Sequence, residues 1–464
     1  MRYFQGMWLS QSLLAIYICS AIVHATNQRT GSVMGSGIDH TVQVGKVIDS
    51  VVCKADPTQS YSLYIPIRGD KQALPIIYFF DPHGDGALPL RKYRMLAEAY
   101  GFILAGSNNS KNGNDWPATE NIWRHLYSDT QGRLAINKDR IYTCGFSGGA
   151  KVASYVAIDQ TAEGPVIKGV IANGAGLPDG VPASDLPFSF TAISGEGDMN
   201  MTNLVSISHD LDKTRTRNRL ILFDGKHEWA PLATMDMAFA GWQFDAMRDR
   251  LIPKDDVLIH AYSAKSKDRV AAYSRSGRLK RAEEECRISI NFLDGLCPEA
   301  ALFKEKDAAI SHNTSFLQEK KEQENLLEQE ENIKTGYAQH FQQRDMNYWT
   351  TTIADLKMRA GGKGKDRAMV QRLLAYLSLA FYSISNHLID ANENGGARYF
   401  VDLYKMEDPT NSEAWYLSAV LDARENQTAA IASDLHKAVQ NGFRDRNRLL
   451  RQTEFQGLPN RLKF

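Results

Sequence analysis

The segment Gly145-Phe146-Ser147-Gly148-Gly149 matches the pattern G-x-S-x-G and lies between a run with strand character, residues 140–144, and one with helix character, residues 150–157. A serine at a strand-to-helix corner takes a strained backbone conformation. Flanking glycines let the chain pass at close quarters, and the hydroxyl is presented to a cleft. The helix that follows begins with N–H groups that have no intrahelical acceptor, and the one on Gly148 is placed to bind an oxyanion. The chemistry is nucleophilic attack through the Ser147 hydroxyl, which needs a base to take its proton and a carboxylate to orient that base. A plain Gly-Ser-Gly turn has the same composition, so the choice rests on what else the chain supplies.

Two later segments supply it, in the order serine, acid, histidine. Residues 188–194 alternate like a strand and break into Gly195-Glu196-Gly197-Asp198, which leaves a carboxylate on a glycine-loosened loop. Residues 219–223 form another apolar run that opens into Asp224-Gly225-Lys226-His227-Glu228-Trp229-Ala230-Pro231. Of the eleven histidines, only His227 directly follows a strand-like run after Ser147, which makes it the natural base. Asp198 is the favoured acid because the loop has cleared the strand end there. Glu196 competes with it, and Asp224 is a third choice, weakened by its closeness to His227.

A fourth element precedes the serine. Leu74-Pro75-Ile76-Ile77-Tyr78-Phe79-Phe80 reads as a central strand ending in Asp81-Pro82-His83-Gly84-Asp85-Gly86. The His83-Gly84 turn is expected to give a second oxyanion N–H, from Gly84 or Asp85. A metal reading of Asp81, His83 and Asp85 lacks any accompanying ligand cluster, and neither a metal nor a cofactor is expected.

From about residue 60 to residue 250 the chain resembles an α/β-hydrolase. Its Gly-Lys-His227-Glu-Trp-Ala-Pro turn is similar to the G-x-H-x-W-P turn of secreted feruloyl esterases, acetylxylan esterases and polyhydroxybutyrate depolymerases. The resemblance implies Ser147 as nucleophile, His227 as general base, Asp198 as its orienting acid, and carboxylic esters as the substrate class. Two departures are visible: Ala230 separates the tryptophan from the proline, and Asp81-Pro82 precedes His83-Gly84 where many relatives carry an aliphatic residue.

The implied fold is a mostly parallel sheet with antiparallel edge strands. Residues 41–44, 47–52 and 61–66 are expected to form the antiparallel edge, and strands near 75, 102, 140, 166, 188 and 219 the parallel part, alternating with helix-length segments. The interval between Ser147 and Asp198 is used up by one helix, one strand and their loops, so it holds no large lid. An open site favours bulky or polymeric esters. Trp116, at the end of the polar run 108–115, and Trp229 are candidates to stack on a sugar or aromatic ring, with His83 beside them. A solvated loop with a core tryptophan is the plainer alternative.

Composition agrees with a folded, exported protein. The 54 basic and 54 acidic residues cancel, so no global field draws in nucleic acid, which is excluded as a partner. Arg2 precedes an apolar run from Met7 to Val23, and Val23-His24-Ala25 fits a small-residue cleavage site, so residues 1–25 read as a signal peptide. An uncleaved anchor is the rival, and Ile18 before Cys19 argues against lipid attachment. The expected location is periplasmic, cell-envelope or extracellular. Cys53, Cys144, Cys286 and Cys297 then remain; Cys286 with Cys297 is the expected disulfide, and Cys144 a buried core residue.

Beyond about residue 265 helix formers take over, which divides the chain into a hydrolase domain over residues 26–262 and a helical domain over residues 263–464. Residues 319–331 read as a charged, exposed helix or linker, residues 361–365 as a loop, and residues 373–382 as an apolar helix. Residues 397–442 resemble tetratricopeptide helical pairs, with Ala414, Trp415 and Tyr416 on one helix and Ala429, Ala430 and Ala438 on the next; a second, degenerate unit spans about 271–302. A plain helical bundle is the alternative. Such an appendage could bind a protein partner, bind glycan or shield the hydrolase, and the sequence does not choose among them. The leading expectation is therefore an exported serine esterase acting on acyl or feruloyl groups of a polysaccharide, against a serine peptidase of the same fold or an idle hydrolase domain in a helical scaffold.

Overall fold

The computed structural model describes residues 43–67, 73–158 and 165–456; the leader expected over residues 1–25 lies outside them. Eight strands form one sheet: β1 Ile48–Val52, β2 Ser60–Tyr64, β3 Leu74–Phe80, β4 Ile103–Ser107, β5 Ile136–Phe146, β6 Ile167–Asn173, β7 Ser189–Gly195 and β8 Asn218–Phe223. Their order is β1-β2-β4-β3-β5-β6-β7-β8, with β2 antiparallel to β1 and β4 and all later neighbours parallel. This is the α/β-hydrolase order. The antiparallel edge has two described strands: Gln43 and Val44 do not pair, and residues 41–42 lie outside the described part.

The helices alternate with the strands: α1 Ala87–Tyr100, α2 Trp116–Arg133, α3 Gly148–Ile158, α4 Met201–Leu211 and α5 Leu232–Arg248. Every residue of β3 is buried, which explains its unbroken apolar run: a parallel strand in mid-sheet has no solvent face. Side chains alternate across it. Ile77 and Phe79 join the core with Tyr93, Phe102, Tyr142 and Trp242, while Ile76, Tyr78 and Phe80 join the opposite core with Ile141, Val156 and Phe190.

The next helices, α6 Asp256–Arg275, α7 Leu279–Leu293 and α8 Ala300–Ser311, continue the first of these cores through Ile259, Tyr262, Cys286, Phe292 and Phe303. The compact unit accordingly runs to Glu324, not to 262. Polar contacts reinforce the apolar ones. Arg219 on β8 is fully buried, makes a bidentate pair with Asp245 on α5 at 2.5 and 2.7 Å, and donates to Asn291 Oδ1 on α7 at 2.7 Å. From α7, Arg281 donates to the Leu222 carbonyl at 3.0 Å and Asn291 Nδ2 to the Asn218 carbonyl at 3.1 Å. Composition changes near residue 265, but packing does not.

The second unit begins at Asn325. It takes in the later part of α9 Thr314–Gln343, then α10 Met346–Ala360, α11 Arg367–Asp390, α12 Asn394–Glu407, α13 Ser412–Arg424, α14 Thr428–Gln440 and α15 Arg446–Arg451. Residues 361–365 are the expected loop. The charged stretch 319–331 is helical but not wholly solvated, because Glu330 is buried and paired with Arg372. On the last helical pair, Ala414, Tyr416 and Ala438 are buried, whereas Ala429 is exposed and Trp415 lies between Lys405 and Lys437.

Cys286 and Cys297 are free thiols, contrary to the pairing expected of them. Cys286 is sealed on the inner face of α7, and burial pushes its thiol up to about 12. Among the described residues, no cluster of acidic, histidine or cysteine side chains is arranged to hold a metal, and no helix is long and apolar enough to cross a membrane.

Two expectations follow. A chain ending at residue 324 retains a single cooperative melt, whereas one ending at 262 loses it and precipitates, because it exposes the α5 face of the core and strands the buried Arg219–Asp245 pair without Asn291. Thermal melts of the two truncations check this. In the native protein a chromogenic disulfide reagent reacts with Cys297 ahead of Cys53, Cys144 and Cys286, which stay protected until urea is added: burial raises all four thiols, but Cys297 is partly exposed while the other three are buried.

Candidate active site

The loops at the C-terminal ends of β3, β5, β6, β7 and β8 meet at one place, the end of a parallel sheet where ligand sites form. β5 delivers Ser147 directly onto the first residue of α3. Its φ is +53°, a left-handed conformation that costs a residue with a side chain about 1–2 kcal/mol. The flanking glycines make it feasible: a Cβ on Gly145 would sit 2.0 Å from the Gly149 carbonyl oxygen, and one on Gly149 would sit 2.0 Å from the Phe80 carbonyl oxygen. Both glycines of the motif are therefore steric requirements of the corner. The Ser147 N–H donates to the Asn173 carbonyl at 2.8 Å, which fixes the corner to β6.

His227 Nε2 lies 2.9 Å from Ser147 Oγ, and its Nδ1 lies 2.9 Å from Asp198 Oδ2. A carboxylate only accepts, so Nδ1 donates to Asp198 and Nε2 is left to accept from the serine hydroxyl. Asp198 is fully buried, and its other oxygen takes the Asn200 N–H at 2.8 Å. The competing acids are turned elsewhere: Glu196 pairs with Arg281 of α7 at 2.7 Å, and Asp224 is exposed. The two loops are laced by their backbones, with Glu196 N–H donating to Phe223 and Gly197 N–H to Gly225, each at 2.9 Å.

The N–H groups expected to bind an oxyanion are placed differently in part. The Gly84 N–H is engaged by the Asp81 carbonyl at 3.1 Å, closing a turn with Gly84 at φ +74°, so Gly84 shapes the loop and does not donate. Gly148 and Asp85 keep N–H groups without an acceptor among the described residues. Asn112, which sequence reasoning passed over, reaches this spot: its Oδ1 lies where a Cβ on Gly148 would fall, and its N–H donates to the Pro82 carbonyl at 2.8 Å.

Trp229 is not a stacking platform. It is buried against Phe79, Tyr93 and Phe146, and its indole N–H donates to Asp81 Oδ2 at 2.9 Å. Asp81 is itself buried, and its second oxygen accepts the His83 N–H at 2.9 Å. Burial alone would push this carboxyl up, but the hydrogen bonds from His83 and Trp229 outweigh it and hold it below the usual carboxylate range. The His83 ring is largely exposed but keeps Nδ1 3.4 Å from Asp81 Oδ1, and Trp116 is half-buried, stacked on Tyr155 of α3 at 4.4 Å.

Two further residues went unread. Asn173 is fully buried at the end of β6, where its Oδ1 accepts the Ala230 N–H at 2.7 Å and its Nδ2 donates to the Glu228 carbonyl at 3.1 Å, so it holds the histidine loop by side chain and the serine by backbone. Gly174 follows at φ +68°, beneath the pair of His227 and Asp198. The available signal was a lone polar residue ending an apolar strand, followed by glycine.

No protein-family model matches the sequence, and neither does any curated protein sequence. Solved structures with a similar fold include a ferulic acid esterase (12% identity, 43% of this chain and 95% of that one, TM-score 0.32). They also include one of two fungal esterases from Rhizomucor miehei (14%, 44% and 85%, TM-score 0.35) and a Pyrococcus horikoshii acylaminoacyl peptidase (12%, 41% and 39%, TM-score 0.30). The fold class rests on the strand order of the chain itself.

Gly174→Ala tests how tightly the site is built. The new methyl would lie 2.8 Å from Phe146 Cε2, 3.1 Å from Asp198 Oδ2 and 3.2 Å from His227 Cε1, at a φ that a side chain resists. Turnover per folded molecule is expected to fall about 100-fold, since displacement of about 1 Å has that effect, and calorimetry should show a destabilisation of about 1–2 kcal/mol.

Proposed function

We propose that the chain is a serine hydrolase that cleaves carboxylic esters, with Ser147 as nucleophile, His227 as base and Asp198 as the acid that orients it. The observation that carries this reading is the unbroken hydrogen-bonded line from Ser147 Oγ through His227 to Asp198, beside two unengaged N–H groups. Ser147 Oγ attacks the acyl carbonyl as His227 Nε2 takes its proton. The tetrahedral oxyanion is held by the N–H groups of Gly148 and Asp85. His227 returns the proton to the departing alcohol, leaving an acyl-enzyme, and water repeats the sequence to release the acid. Loss of one such oxyanion donor costs about 3 kcal/mol in other hydrolases.

Within the esters, acyl or feruloyl groups carried on a polysaccharide are the proposed substrates. Support comes from Trp116 as an aromatic face for a sugar or aryl ring. The N-terminal leader read from residues 1–25 supports action outside the cytoplasm, and the helical second unit is proposed to bind a protein partner. An idle domain has no need of the aligned triad.

Wild type and Ser147→Ala are to be assayed on p-nitrophenyl acetate, methyl ferulate and an aminoacyl amide. The expected outcome is ester turnover that falls roughly 10⁶-fold in kcat in the variant. Ser147-dependent cleavage of the amide in preference to both esters would move the protein to the peptidases, and absence of Ser147-dependent turnover on all three would sink the enzyme reading.

A further inference from the structure

We propose that Asp81 is a positioning residue that joins the oxyanion turn to the histidine loop, so that the two halves of the site hold one geometry through the reaction. This rests on the serine-hydrolase reading above. Asp81 directly follows β3 and is 1% exposed, a place where a carboxylate must have its charge met by hydrogen bonds. Its two oxygens are divided between two loops. Oδ1 takes the His83 N–H at 2.9 Å, within the turn that ends at the Asp85 N–H, and Oδ2 takes the Trp229 indole N–H at 2.9 Å, two residues beyond His227. The Asp81 carbonyl closes the same turn by accepting from Gly84 at 3.1 Å.

The surroundings make the link stiff on both sides. Trp229 is packed on Phe79, Tyr93 and Phe146, and the ring of Phe146 also lies 4.6 Å from that of His227. The loop beyond the indole is fixed by Asn173 to Ala230 and by Tyr93 Oη to the Ala230 carbonyl at 2.7 Å. On the other side, the Pro82 carbonyl accepts from Asn112, whose side chain lies over Gly148. A movement of the turn therefore reaches the histidine loop through one carboxylate.

Asp81→Asn keeps the shape but offers one acceptor oxygen to two N–H donors, so one side of the link must open. Trp229→Phe opens the loop side alone and leaves the turn bond in place. Each variant, and the double variant, is to be assayed on p-nitrophenyl acetate, with competent sites counted by phosphonylation of Ser147 with a fluorophosphonate. A positioning role predicts a fall of about 10- to 100-fold in kcat per titrated site for each single variant, KM held within about 2-fold, and a double variant no worse than the lower single. Unchanged kcat per site with a lowered melting temperature would reduce Asp81 to a stabilising residue and overturn the proposal, as would losses that multiply in the double variant. If Asp81→Asn does not fold, Trp229→Phe alone decides by the same kcat criterion. Wild type that neither turns over nor labels at Ser147 would instead overturn the hydrolase reading, and the positioning role with it.

Discussion

The left-handed backbone of Ser147 is the constraint from which the site follows. It can persist only where neighbouring chains come so close that no side chain fits, and the Gly149 and Phe80 carbonyl oxygens come that close. Strands β3 and β5 must therefore be adjacent and parallel, with α3 starting at once. That adjacency also brings the Asp81-to-Asp85 turn beside the first N–H of α3. The placement of Ser147 and of the unengaged N–H groups of Gly148 and Asp85 thus follows from a single packing event in the middle of the sheet.

The histidine and acid depend on it less directly, through polar side chains that end strands. Asn173 accepts the Ser147 N–H with its backbone while its carboxamide holds the loop after His227, so the spacing between Ser147 and His227 is set by one residue that bonds to neither side chain. The choice of acid is set from further away. Glu196 is drawn outward by Arg281, and Asp198 is left as the carboxylate that meets Nδ1 of the histidine. Buried polar groups of this kind require all their partners at once, and they specify one arrangement more sharply than apolar contacts do.

The legible parts of the sequence were those whose cause is local. β3 reads as central because both its faces are buried, and the order of strand, loop and functional residue marks Ser147, Asp198 and His227 by position alone. What could not be read were contacts between residues far apart in the chain. Trp229 follows the histidine as a surface ring would, yet its indole N–H meets a carboxylate just past β3, and nothing near either residue announces the pair. Gly84 stands where a donor is expected, but its N–H is taken by the turn it makes. The boundary at 262 failed for the same reason: α7 has the charged, helix-forming composition of a separate domain, and its partner face on β8 and α5 is invisible without the fold.

The bonds from α7 to β8 have a bearing on association. β8 ends the sheet, and the outward carbonyls of such a strand can accept another chain as a further strand. Arg281 and Asn291 occupy the carbonyls of Leu222 and Asn218, at the two ends of β8. The helix thus stands where an invading strand would have to lie.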